Sequence, residues 1–110
     1  MIRQYDAQVL SDNLLKQFSL YPKGWRTCFS KSEHAIARCY HDEKKIQLSI
    51  IPLQSVSEIE LNKTLLHEIA HALVGPGKGH GLEWTEKAKS IGLSEPTPCV
   101  HLNIDGGRGL

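Results

Sequence analysis

The sequence has no long apolar run, no paired cysteine motif and no excess of charge, and each absence excludes a class of protein. Its apolar runs span only a few residues, far below the ~20 that a membrane-spanning helix needs. No apolar stretch of the kind found in secretory signals follows the first residues. The three cysteines form no C-x-x-C pair, which argues against a disulfide framework and a four-cysteine zinc ribbon. We therefore expect a cytoplasmic location and no membrane contact.

Charge gives no strong indication of a partner. Thirteen basic and twelve acidic residues leave a formal net charge of +1. Residues 1–50 carry eight Lys and Arg against five Asp and Glu, and residues 51–110 carry five against seven. Neither half has the basic stripe of a dedicated nucleic-acid-binding domain, so any association with DNA is expected to be weak or assisted by a partner. The length of 110 residues and the hydrophobic fraction of 40% suit one globular domain, which we expect to be a monomer.

Apolar periodicity predicts an α+β domain that begins with a helix. Apolar residues three and four positions apart indicate an amphipathic helix from Asp6 to about Phe18. Short segments separated by polar links follow, and they predict a three-stranded antiparallel sheet with two hairpin connections. The predicted strands are Trp25–Ser30, Ala35–Tyr40 and Ile46–Ile50.

Two more helices are predicted after Pro52. Ser57 followed by Glu60 is typical of a capping box, in which both side chains satisfy backbone N–H groups at a helix start. Apolar residues then continue at helical spacing until a Gly-Pro-Gly turn at residues 75–77, where proline prevents continuation. A last helix is expected over residues 81–91.

The middle of the second predicted helix carries the pattern H-E-x-x-H. Residues four apart stack on one helix face, so the imidazoles of His67 and His71 can bind one ion. Glu68 lies about 100° further round the helix, where it can take a proton from water beside the ion. Zinc suits imidazole ligands, and a catalytic zinc site needs a third protein ligand and one open position. The alternative is an ordinary helix with two histidines.

The third ligand must come from another part of the chain. His80 lies nine residues after His71, beyond the predicted turn, and its flanking glycines permit close approach to an ion. Glu83 and Glu86 on the last helix are rivals, because some zinc hydrolases use a glutamate there. Without a ligand role, His80 would be a turn histidine bonded to a helix end.

The sequence resembles a known family at this point. Residues 63–73 read KTLLHEIAHAL and residues 79–84 read GHGLEW. Together they resemble the SprT-like metallopeptidase family, which includes the Spartan proteases, and the similarity covers roughly residues 5–92. The H-E-x-x-H motif followed by a G-H-G-x-x-aromatic segment is far more specific than H-E-x-x-H alone.

The resemblance implies a zincin-like minimal metalloprotease domain. It implies zinc bound by His67, His71 and His80, with Glu68 as the general base. It also implies a polypeptide substrate and work on DNA-associated proteins, as in the repair of DNA–protein crosslinks. Many members continue into a C-terminal zinc ribbon, for which this chain has no cysteines. We place the domain at residues 1–95 and a mobile, Pro/Gly-rich tail at residues 96–110.

Two other functions share part of the pattern. A zinc-stabilised binding module without turnover would use the same three histidines and would not need Glu68. A small metal-dependent RNase of the rRNA-maturation type uses the pattern H-x3-H-x5-H. The nine-residue interval before His80 and the presence of Glu68 argue against that RNase.

Supporting roles are less determined. Ile46–Ile50 is a candidate edge strand for holding a peptide by strand addition. Cys28 and Cys39 are expected to be reduced thiols that could face each other on adjacent strands. Trp84 is expected in the core, where it clamps the last helix. The sequence assigns no residue to polarising the substrate carbonyl, and the candidates are His34, His41, His101 and Tyr40.

Overall fold

The computed structural model describes residues 2–33, 35–53 and 55–93, which form three main helices and a three-stranded sheet. The predicted α+β class is confirmed. The predicted domain end at residue 95 and the tail at residues 96–110 lie outside the described residues. In chain order the elements are α1 (Gln4–Gln17), a 3-10 turn (Tyr21–Lys23), β1 (Arg26–Ser30), β2 (Ala37–Tyr40), β3 (Lys45–Ser49), α2 (Ile50–Leu53), α3 (Glu58–Val74) and α4 (Leu82–Ser90).

The sheet is mixed, so the prediction of an all-antiparallel sheet with two hairpins is wrong. The strand order is β1-β3-β2. β2 and β3 form the predicted antiparallel hairpin, with Tyr40 opposite Lys45. β1 pairs with β3 in parallel, with Arg26 beside Lys45 and Ser30 beside Ser49. β3 is therefore the central strand, and the segment proposed as a peptide-binding edge is paired on both sides.

The burial of β3 agrees with its central place in the sheet. Ile46 and Leu48 on this strand are fully buried. Ala35 and Ile36, at the end of the link between β1 and β2, are also buried. The carbonyl of Ile36 accepts a hydrogen bond from the Ser49 amide at 2.9 Å, so the antiparallel contact with β3 begins just before β2. Consecutive strands are neighbours only about two-thirds of the time, so link length alone does not fix their order.

The helices cover one face of the sheet. α1 is joined to β1 by a polar network in which Thr27 donates a hydrogen bond to Asp12 (2.7 Å) and its hydroxyl lies 2.7 Å from that of Ser11. α3 packs against α1, α4 and β2. Among the described helices, none is both long enough and apolar enough to cross a membrane. The fully buried large hydrophobic side chains between these layers are Leu15, Ile46, Leu48, Leu61, Leu65, Ile69 and Trp84.

The start and end of α3 agree with the sequence prediction, and the middle of the helix is buried on all sides. The capping box is present: Ser57 Oγ accepts from the Glu60 amide, and Glu60 accepts from the Ser57 amide (both 3.1 Å). α3 ends before Gly75, whose φ of 92° is a left-handed value that favours glycine. Every residue from 64 to 71 is buried, so α3 has no exposed side over this stretch. α4 packs over His67 and His71, which therefore lie in the contact between two helices.

The capping box is a testable source of stability. We expect Ser57→Ala to lower the free energy of unfolding by about 1 kcal/mol, because the Glu60 amide loses its acceptor. Chemical denaturation of metal-free protein measures the change. Ser55→Ala is the control: Ser55 is exposed and lies outside the helix, and its replacement should change the free energy by less than ~0.5 kcal/mol. Equal losses in both variants would contradict a capping role.

Candidate metal centre

Three imidazoles meet at the contact between α3 and the start of α4. His67 and His71 lie one helical turn apart on α3, with exposed fractions of 1% and 8%. His80 comes from the loop before α4 and is partly buried. Its Nε2 atom lies 3.0 Å from His71 Nε2 and 3.1 Å from His67 Nε2. The three side chains that the sequence singled out are therefore together, and their roles as ligands stay predictions.

The spacing of these nitrogens fits a tetrahedral metal site. Nitrogen ligands at ~2.0–2.1 Å from a tetrahedral zinc ion are ~3.3–3.4 Å from each other. The two Nε2 distances are a few tenths of an ångström shorter. One ligand atom from each histidine lies within 4.8 Å of the others. A small shift of each ring would admit an ion, and three imidazoles leave a fourth tetrahedral position open.

The loop before α4 brings His80 to α3. Gly79 has a φ of 56°, in the left-handed region where a side chain is disfavoured. A Cβ atom at Gly79 would meet nothing within 4 Å. The backbone conformation is therefore the reason for a glycine at this position. Gly81 precedes α4 as its N-cap residue, so His80 lies two residues before the first residue of that helix.

The rival carboxylate ligands lie on the surface. Glu83 is exposed and forms an ion pair with Lys78 at 2.9 Å. Glu86 is also exposed, one turn further along α4. Neither belongs to the cluster of metal-ligating side chains found among the described residues. The arrangement favours a histidine as the third ligand.

Glu68 is buried on α3, the helix that packs against β2, with an exposed fraction of only 5%. Burial and, to a smaller degree, the negative charge of Glu68 raise the pKa of Cys39 on β2 from 9.0 to about 12. The carboxylate and the thiol therefore interact electrostatically. Cys39 thus stays protonated at neutral pH, and its thiol is a poor candidate for a metal ligand or nucleophile.

Trp84 is part of the site, a feature that the sequence interpretation missed. The prediction placed this residue in the core, and it is fully buried there. Its ring centroid also lies 4.8 Å from that of His67, 5.5 Å from that of His71 and 4.8 Å from that of His80. The available signal was its position four residues after His80, which puts Trp84 in the first turn of the helix that follows this histidine.

The other candidates from the sequence lie elsewhere. Tyr40 pairs with Lys45 and donates to Gln47 (3.4 Å), which places it on the sheet face away from the helices. His41 contacts Trp25 edge-on. Cys28 and Cys39 are free thiols on outer strands, with β3 between them, so they do not face each other. His34 and His101 lie outside the described residues.

Comparison with known proteins identifies a family model and two similar folds. The SprT-like family model matches residues 1–103. The crystal structure of the metallopeptidase zymogen jannalysin from Methanocaldococcus jannaschii has a TM-score of 0.63 at 19% identity, covering 77% of this chain and 80% of that chain. The zymogen abylysin from Pyrococcus abyssi has a TM-score of 0.62 at 19% identity, covering 77% and 78%. No curated protein is significantly similar in sequence.

The electrostatic contact between Glu68 and Cys39 can be tested by alkylation. The negative charge raises the pKa of the thiol, so Glu68→Gln should lower that pKa and increase the thiolate fraction at mildly alkaline pH. We expect alkylation of Cys39 in folded, metal-free protein to accelerate by up to about tenfold, since burial remains the larger cause. Mass spectrometry of tryptic peptides measures the rate. Glu83→Gln is the matched control and should leave the rate unchanged, and an unchanged rate in Glu68→Gln would contradict the contact.

Proposed function

Because its sequence matches the family model over residues 1–103, the chain belongs to the SprT-like family, and we propose that it is a zinc-dependent metallopeptidase. The observation that carries the proposal is the convergence of three imidazole nitrogens from α3 and the loop before α4. The fold that the chain shares with two metallopeptidase zymogens supports the same class of reaction.

Zinc is the ion that these donors suit. Imidazole nitrogens favour zinc, whereas calcium and magnesium take oxygen ligands. His67, His71 and His80 would hold it through their Nε2 atoms. When bound, zinc supplies a Lewis acid that polarises a peptide carbonyl and acidifies water.

Glu68 is the general base in this proposal. Glu68 follows His67 directly on α3, about 100° further round the helix, and its burial shields it from bulk water. The carboxylate takes a proton from the attacking water and passes it to the leaving amine. The neighbouring Cys39 does not compete for this role because its thiol stays protonated at neutral pH.

The substrate polypeptide is proposed to bind along β2. This strand packs against α3, and the charge of Glu68 on that helix helps to raise the pKa of Cys39 on β2. In the described part of the chain, β2 has β3 on one side and no strand on the other. An extended peptide can add to such an edge through main-chain hydrogen bonds, which select little for sequence. β2 thereby replaces Ile46–Ile50 as the candidate peptide-binding edge.

A basic cluster supports the proposal that the substrates are DNA-associated or crosslinked proteins. Around Tyr21, the Arg26 guanidinium lies 3.7 Å and Lys16 Nζ 4.9 Å from the ring centroid. Lys44 Nζ donates to the backbone carbonyl of Lys23 at 3.0 Å, and Lys23 lies two residues after Tyr21, so two more lysines belong to this part of the surface. All four are exposed, as phosphate contacts require.

The two free thiols suit a cytoplasmic location, which we also propose.

Three variants separate catalysis from metal binding. Glu68→Gln keeps the shape of the side chain but cannot accept a proton, so turnover of an unstructured polypeptide should fall by at least ~10² while zinc stays bound. His80→Ala should lose zinc and activity together. Glu83→Ala, the matched control, should keep most of both because Glu83 lies on the surface. Peptidase assays and metal analysis of the purified chain measure the two properties.

Other results would favour the alternative functions. Zinc binding without peptidase activity in the wild type would indicate a binding module. Cleavage of RNA and not of protein would indicate a nuclease. Wild-type turnover in Glu68→Gln would exclude Glu68 as the base, and zinc retained in His80→Ala but lost in Glu83→Ala would make Glu83 the ligand.

The basic cluster predicts salt-dependent binding of single-stranded DNA. Replacing its three lysines by glutamine should weaken binding of an oligonucleotide, and the slope of log affinity against log salt should fall by about 2, because each phosphate contact contributes ~0.7. Fluorescence anisotropy at several salt concentrations measures both. The control triple variant has the same charge change at exposed lysines of α3 and α4, and equal losses in the two variants would contradict the assignment. The test variant changes Lys16, Lys23 and Lys44, and the control changes Lys63, Lys87 and Lys89.

A further inference from the structure

We infer that Trp84 is a positioning residue of the metal centre, whose indole holds the three imidazoles in the orientation that brings their Nε2 atoms together. One buried side chain contacts the rings of all three histidines. The inference rests on the proposed metal site and adds a residue that is not a ligand and does not touch the substrate.

The three ring contacts differ in geometry, and each restricts a different ring. His71 is stacked on the indole, with an interplanar angle of 29°. His67 and His80 meet the indole at 61° and 88°. Offset stacking and edge-on contacts are the arrangements that aromatic rings prefer. Rotation of any imidazole about its χ2 angle would lose its contact with the indole.

Trp84 is itself held in place from two sides. It is fully buried on α4. Its Nε1–H group donates a hydrogen bond to the backbone carbonyl of His67 at 3.3 Å. In a regular α-helix this carbonyl also accepts the amide of His71, so the indole is attached to the turn of α3 between the two histidines. The same side chain thus links α4 to α3 and orients His80 relative to both.

This arrangement lowers the cost of binding an ion. An unrestrained imidazole loses side-chain freedom when it coordinates a metal, and three of them lose it together. If Trp84 already orients the rings, this side-chain entropy is lost during folding and not on metal binding. The ion then binds a preformed set of donors. Residues around metal ligands act in this way in other sites, and replacing them costs about 10–100-fold in metal affinity. Here the orienting force is ring contact, with one backbone hydrogen bond.

Zinc affinity of the full chain tests the inference. Competition with a chromogenic chelator, at a temperature where circular dichroism shows each metal-free variant to be folded, gives the dissociation constant. We expect Trp84→Leu to bind zinc about 10–100-fold more weakly, because it removes all three ring contacts. Trp84→Phe keeps a smaller ring and loses the N–H donor, so its affinity should lie between those of Trp84→Leu and the wild type.

Trp25→Phe is the matched control for loss of a buried tryptophan. Trp25 is also buried, and its ring contacts His41 rather than the three histidines of the site. This variant should lose stability yet keep zinc affinity within about twofold of the wild type. Absorption of bound Co²⁺ adds a readout of coordination geometry. It should change in the Trp84 variants and stay unchanged in Trp25→Phe.

Several outcomes would overturn the inference. One is wild-type zinc affinity in folded Trp84→Leu, and another is an equal loss in Trp25→Phe, which would indicate a general effect of core disruption. If Trp84→Leu does not fold, Trp84→Phe decides, and an unchanged affinity and Co²⁺ spectrum would overturn the positioning role. A wild-type chain that binds no zinc would overturn the proposed metal site and this inference with it. Wild-type binding with unaffected Trp84 variants would overturn the inference alone.

Discussion

The contact between α3 and α4 is the constraint on which the candidate site depends. Two histidines on one helix supply two donors on one face, and a third donor must reach them from a separate segment. The loop before α4 places His80 Nε2 3.0–3.1 Å from the other two imidazoles. Trp84 and Ala88 on α4 are fully buried in this contact. The geometry of the site therefore depends on the stability of the interface between α3 and α4. The sheet supports that interface, because β2 also packs against α3.

Much of the site could be predicted because its information is local. The spacing of His67, Glu68 and His71 fixes their relative directions as soon as the segment is helical. The capping box at Ser57 and the glycine at residue 75 mark the helix ends by backbone chemistry, which the sequence displays directly. His80 was identified by its histidine side chain, its flanking glycines and the resemblance to a family. Burial of the histidines was not predictable in this way, because it depends on which side of α3 the last helix covers.

The strand order and the neighbours of the site depend on distant contacts. The short link between β1 and β2 suggests a hairpin in the sequence, and only the structure shows that β1 pairs with β3 instead. For the same reason the predicted edge strand Ile46–Ile50 falls on the central strand β3, whereas β2 lies at an edge of the sheet. The effect of Glu68 on the pKa of the Cys39 thiol also depends on packing between β2 and α3.

The parallel pairing of β1 with β3 also determines the order in which the sheet can assemble at least cost. Arg26 and its partner Lys45 are 19 positions apart, whereas Tyr40 and the same lysine are five apart in the hairpin. Closing the longer loop costs about 1 kcal/mol more chain entropy than closing the shorter one. This difference favours a β2–β3 hairpin that forms before β1 pairs with β3. α1 is hydrogen-bonded to β1 through Thr27, so the position of α1 on the sheet depends on the same late pairing.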